Sequence, residues 1–220
     1  GMYSKLPPWV RWKMERDYPL EPSELRRLTG FLTGPRQVGL SPLPFMRANS
    51  NPNKAFNKSP KLQEAYGRLS KVLDANPAAK ALVFSNFIGA GLSPYQAALN
   101  KAGIPAASFT GALDDAGRKR MVEDYNTGKT RVALVGPAGT EGLSFRGTRL
   151  VQLLDPHWNS VRPNQSIGRG VRFDSHQHLD PSDRNVHVED YRARLPRTML
   201  DRLLRRNPDG RMAADDYLAR

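Results

Sequence analysis

The sequence predicts an α/β fold built on a parallel sheet, and three observations lead to it. Residues 81–87 form a short run, apolar but for Ser85 and Asn86, the pattern of a strand buried on both faces rather than one. Further runs of this kind alternate with stretches of helical period, and repeated strand–helix units imply a parallel sheet with helices on its faces. Turns bearing glycine or threonine, at Thr110-Gly111 and at 136–142, directly follow such strands. They would emerge at the carboxyl ends, where open parallel sheets bind their ligands.

The elements follow in order. Residues 3–45 mix Pro, Trp and basic residues around one helical stretch at 23–29, which Ser23 or a neighbour can cap; this segment is not a domain by itself. Residues 49–60 are rich in turn formers and read as an exposed loop or linker. A helix of period near 3.6 runs from Lys61 to about Asp74, with Leu62, Ala65, Tyr66, Leu69 and Leu73 on its inner stripe. The strand at 81–87 comes next, then a helix at 94–101, a strand from Ala106 ending at Thr110-Gly111, and a polar helix at 115–126. Three more strands are expected at 131–135, 149–154 and 185–189, with a helix at 164–172 between the last two. After Pro196 an amphipathic helix spans 198–206, and the sequence stops in mid-pattern, as an excised piece would. The organisation expected is an N-terminal extension and linker at 1–58, one α/β lobe at 59–195 and a helical tail at 196–220.

Composition bounds the function. A chain of 220 residues with 39% hydrophobic content and a mean hydropathy of −0.59 can bury one good-sized core, and no apolar run approaches the roughly 20 residues of a membrane span. The net charge of +13 points to a polyanionic partner, most often nucleic acid, because neutralised phosphates release counterions. With no cysteine, disulfides and thiolate metal sites are excluded, and the cytoplasm is the default location.

The segment Gln165-Ser-Ile-Gly-Arg169-Gly-Val-Arg172 spaces a glutamine and two arginines four and then three residues apart, which puts all three on one helical face. Two guanidinium forks aimed the same way can bracket a phosphate chain and stabilise charge that develops as a phosphoryl group transfers. A basic face docked on acidic side chains is the other reading. In Ala138-Gly139-Thr140-Glu141-Gly142 the glycines let backbone amides approach a phosphate, with the Thr140 hydroxyl beside them; a plain tight turn is the alternative. Thr110-Gly111 is a shorter signal of the same kind.

The ordered series Leu82-Val-Phe-Ser85, Thr110-Gly111, Ala138-Gly-Thr-Glu-Gly142, Asp155-Pro-His-Trp158-Asn159 and 165–172 resembles the second RecA-like lobe of superfamily 2 helicases and translocases. Asp155-Pro-His-Trp-Asn159 is similar to the Swi/Snf-type branch, and the stretch 175–188 resembles the poxvirus-type nucleoside triphosphate phosphohydrolases with their phage and bacterial relatives. The resemblance covers about 59–193. It implies that Arg169, Arg172 and Gln165 belong to the motif that reaches ATP on a partner lobe. It implies also that Gly139, Glu141 and Gly142 lie on the loop coupling nucleic acid to the nucleotide cleft. Ser85, Asn86, Thr110, Gly111 and Thr140 would hold the tracked strand's phosphates, with Trp158 and Asn159 near its path; a buried Trp anchoring the helix is the other reading of Trp158. The sequence departs from the remodelling enzymes at Glu141, where they often carry an apolar residue, and at Gly168-Arg169, which replaces Asp-Arg.

Hydrolysis of ATP needs a glycine-rich loop with a phosphate-binding Lys and an acidic pair for Mg²⁺. Gly128-Lys129-Thr130 mimics the end of such a loop, but it precedes a strand and lacks the first glycine, so it is expected to be a turn. Asp114-Asp115 is expected to open a helix, and His176, His178 and Asp180 read as ordinary loop residues, so no metal site is assigned. The expectation is a second motor lobe, inert as an ATPase alone, with ATP and Mg²⁺ held by an N-terminal RecA-like lobe of the same polypeptide. Nucleic acid is its partner, DNA ahead of RNA, and no membrane is involved. The competing reading is a stand-alone basic module that binds nucleic acid or protein and has lost the motor.

Overall fold

The computed structural model describes residues 7–16, 18–19, 21–110, 114–137, 144–155 and 184–192. Its elements are α1 (Pro8–Glu15), α2 (Pro22–Leu40), a 3₁₀ turn (Leu43–Phe45), α3 (Pro52–Phe56), α4 (Pro60–Ala75), β1 (Lys80–Phe84), a π-helical turn (Ile88–Leu92), α5 (Ser93–Lys101), β2 (Ala106–Phe109), α6 (Asp115–Asn126), β3 (Val132–Val135), β4 (Thr148–Leu153) and β5 (His187–Asp190). The expected helices at 164–172 and 198–206 lie outside the described residues.

The five strands form one sheet in the order β2-β3-β1-β4-β5, and every adjacent pair is parallel. β1 is central, with Phe84 in register with Val135 of β3 on one side and Leu153 of β4 on the other. Because side chains alternate along a strand, Ala81 and Val83 enter a core with α4 and α5, while Leu82 and Phe84 enter a second core with Phe145 and Tyr125 of α6. All five β1 residues are buried, which explains the apolar run. Helix α4 presents Leu62, Ala65, Leu69 and Leu73 inward as its period requires, and Tyr66 meets the rings of Phe56 and Tyr95 edge-on. Its end is held by Arg131, whose guanidinium donates to the carbonyls of Leu73 and Asn76, both at 2.7 Å, so carbonyls without helical partners are satisfied.

The N-terminal part is more regular than its sequence suggests. Helix α2 continues eleven residues beyond the stretch expected, to Leu40, and Glu21 caps it with Glu24 accepting the Glu21 amide at 2.8 Å. Lys13 of α1 bonds Glu24 at 2.7 Å and lowers its carboxyl pKa, an attachment between two helices that sequence period did not reveal. In the expected loop at 49–60, Asn51 and Pro52 serve as N-cap and first residue of α3, and Ala55 is fully buried. Leu40 sits in the main core, Ser41 Oγ donates to the Ala90 carbonyl at 2.7 Å, and Ser59 Oγ bonds the Leu40 carbonyl.

A polar knot is buried where the sheet meets α4 and α5. The Gln152 side chain, at 0% exposure, accepts from Tyr95 Oη at 2.8 Å and donates toward the Ala65 carbonyl at 2.8 Å and Tyr191 Oη at 3.0 Å, with Glu189 also within reach at 3.0 Å. Burial pushes the hydroxyls of Tyr95 and Tyr191 well above their ordinary pKa, so both remain neutral donors. Replacing Gln152 with Leu leaves several of these groups without partners. The expected loss is about 2–4 kcal/mol in urea unfolding, against well under 1 kcal/mol for the exposed Gln96→Leu.

Candidate functional site

The strand β1 ends at Phe84, three residues earlier than its apolar run, and the reason is electrostatic. The carboxylate of Asp155, just beyond β4, draws the following turn toward itself: Ser85 Oγ donates to it at 2.6 Å, the Asn86 amide at 3.0 Å, and the Asn86 side-chain amide bonds its other oxygen. Arg36, from the last turns of α2 and 119 positions away, lies against the same carboxylate at 3.5 Å. Both charged side chains are only 1% exposed. The Arg36 guanidinium also stands 5.2 Å from the centre of the Phe87 ring. A buried carboxylate is tolerable only with this density of donors and a counter-charge.

The geometry fixes what each partner can do. The single Ser85 proton goes to Asp155, and the same oxygen accepts the Phe87 amide at 3.1 Å. Ser85 is 5% exposed, and its hydroxyl proton is directed to the Asp155 carboxylate inside the protein. Asn86 is half-buried at the mouth of the carboxyl edge, and Thr110 lies half-buried past the end of β2. Gly91 is required here, for a Cβ at that position would stand 2.3 Å from Ser85 Oγ. Asp155 was legible only as the first residue of a motif, and Arg36 carried no sequence signal at all.

Other expected site residues lie outside the described residues: Gly111, Gly139, Thr140, Glu141, Gly142, Trp158, Asn159, Gln165, Arg169 and Arg172, together with His176, His178 and Asp180. Among the described residues no group of three or more His, Asp or Glu is arranged to hold a metal ion, and no helix is long and apolar enough to cross a membrane. Gly128 has φ of +82° and lies in a turn after α6, with Lys129 bonded to Asp124 at 3.1 Å. That lysine follows a helix and precedes β3, so it does not fit a phosphate-binding loop. Asp114 caps α6 by accepting the Gly117 amide at 2.9 Å, as expected of an acidic pair that opens a helix.

Asp155→Ala removes the carboxylate that faces the buried Arg36 and accepts from Ser85 and Asn86, and should lower unfolding free energy by about 3–5 kcal/mol. Gly91→Ala, which drives Ser85 off the carboxylate, should cost about 1–3 kcal/mol. Chemical denaturation of the two variants beside the unsubstituted chain measures both.

Comparison with known proteins follows the same lines. The helicase conserved C-terminal domain family matches residues 64–174. The protein of Acanthamoeba polyphaga mimivirus named "Putative ATP-dependent RNA helicase L538" is 28% identical over 92% of this chain and 39% of its own length. The DNA repair protein RAD5 of Cryptococcus neoformans is 33% identical over 52% of this chain and 10% of its own length. Nucleoside triphosphatase I of Choristoneura fumiferana entomopoxvirus is 36% identical over 30% of this chain and 10% of its own length. This chain thus spans well under half of each of these relatives. The C-terminal part of the Fun30 ATPase domain has the same fold, with a TM-score of 0.62 at 15% identity, covering 100% of this chain and 88% of that one. The match and the five-stranded parallel sheet agree, and the chain belongs to the helicase C-terminal domain family as a RecA-like lobe of the superfamily 2 type.

Proposed function

We propose that this chain is the second lobe of a nucleic-acid-dependent ATPase, a helicase or translocase whose first lobe holds ATP and Mg²⁺. The observation that carries the reading is the family match over residues 64–174, joined to a sheet whose carboxyl edge carries both the Asn86 turn, after β1, and Thr110, after β2, with β3 between them. In this reading another domain binds the nucleotide; the position of Lys129, after a helix and before β3, supports it, since that turn does not fit a phosphate-binding loop.

In this scheme Arg169 and Arg172 face the nucleotide across the cleft and stabilise negative charge as the terminal phosphoryl group leaves, with Gln165 opening the same motif. Gly139, Glu141 and Gly142 form the loop between that motif and the nucleic acid. Asn86, Thr110, Gly111, Thr140, Trp158 and Asn159 contact the strand, Asn86 by its outer amide face and not through the Ser85 hydroxyl. DNA is the favoured substrate, and the +13 charge supplies the non-specific part of the affinity.

Two measurements test the reading. This chain alone should hydrolyse no ATP, whereas the protein that carries both lobes should do so with nucleic-acid stimulation; there Arg169→Ala should lower turnover about a thousandfold, and unchanged turnover removes the arginine from the mechanism. Oligonucleotide binding by this chain should weaken steeply as salt rises from about 50 to 200 mM, and salt-insensitive binding argues against phosphate contacts.

A further inference from the structure

We infer that Arg36 is a positioning residue for the Asn86 turn, so that helix α2, which precedes the family-matched segment, sets the shape of the lobe's nucleic-acid contact. The inference rests on the reading that this turn touches nucleic acid.

Helix α2 grips the turn and its continuation at three points. Arg36 reaches the Asp155 carboxylate that accepts the Asn86 amide and side chain, and its guanidinium faces the Phe87 ring at 5.2 Å. Leu40 packs in the core within 3.6 Å of where a Gly91 Cβ would stand. Ser41 Oγ then holds the Ala90 carbonyl at 2.7 Å in the π-helical turn that follows Phe87. The Asp155 carboxylate has no other described cation near it. Without Arg36 no described cation offsets the charge, and the least costly response is for the turn to move so that water reaches the carboxylate. Asn86 moves with it, since its backbone and side-chain donors are both fastened there. A lysine at position 36 keeps the charge but loses the planar fork that lies on Phe87.

The test is a double-mutant cycle on affinity of the 220-residue chain for a labelled single-stranded oligonucleotide, at a temperature where every variant is folded. Arg36→Met and Asn86→Ala should each weaken binding about tenfold, and the double variant should be no weaker than the worse single, because a displaced turn has nothing further to lose. Losses that multiply to about a hundredfold, or Arg36→Met at full affinity with only a lowered melting temperature, overturn the inference and leave Arg36 a stability residue. Asn86→Ala at full affinity, or no binding by the unsubstituted chain, removes the turn from the contact and takes the underlying reading down with the inference. Should Arg36→Met fail to fold, Arg36→Lys replaces it in the cycle, with about a threefold loss and the same lack of additivity expected.

Discussion

One buried carboxylate governs the carboxyl edge of this sheet. Asp155 sits just beyond β4 with its side chain 1% exposed, and its carboxylate takes donors from two other parts of the chain. Its demand for partners ends β1 at Phe84, bends Ser85 to Phe87 away from the strand, and fixes the far end of α2 against the lobe. An ion pair of this kind adds little net stability compared with a well-packed apolar substitute, and its value here is geometric.

The rest of the fold is arranged around that edge. The sheet's two cores are built largely of Val, Leu, Ala and aromatic side chains on its two faces, and close packing of this kind fixes the strands that carry the turn. Two polar anchors, Gln152 between Tyr95 and Ala65 and Arg131 beneath α4, bind the helices to the sheet at fixed heights. The domain family supplies the functional frame for this edge, and the structure supplies the way it is held. The polar side chains that hold it, Ser85 and Asp155 in particular, face one another and not the solvent.

Much of this was legible in the sequence, for physical reasons that differ by element. Helix α4 and the central strand declared themselves because burial of one face and of two faces leaves distinct periods, and α6 was found at the bounds later observed because Asp114 caps it. The full length of α2 was hidden because Gly30, Gly34 and Pro35 lower local helix propensity, while the burial of Leu40 and Arg36 overrides it. The short helix α3 was hidden behind turn formers that turned out to be its cap. Within the site, Asn86 and Thr110 emerged at the expected edge, but the inward orientation of Ser85 depended on a carboxylate 70 positions away, and Arg36 on a pairing across 119. No local pattern encodes such distances. The arginines of 165–172 were the strongest chemical signal in the sequence, and they lie outside the described residues.

The claim that a buried, paired Asp155 pins the turn after β1 is tested most directly by amide hydrogen exchange at Asn86. Among the described residues its amide has no strand partner and is held by the Asp155 carboxylate alone, next to the Ser85 amide, which bonds the Val135 carbonyl at 3.2 Å. The account predicts that the two amides exchange within about tenfold of each other, both opening with the sheet. An Asn86 amide exchanging at the rate of an exposed loop while Ser85 stays protected would contradict it.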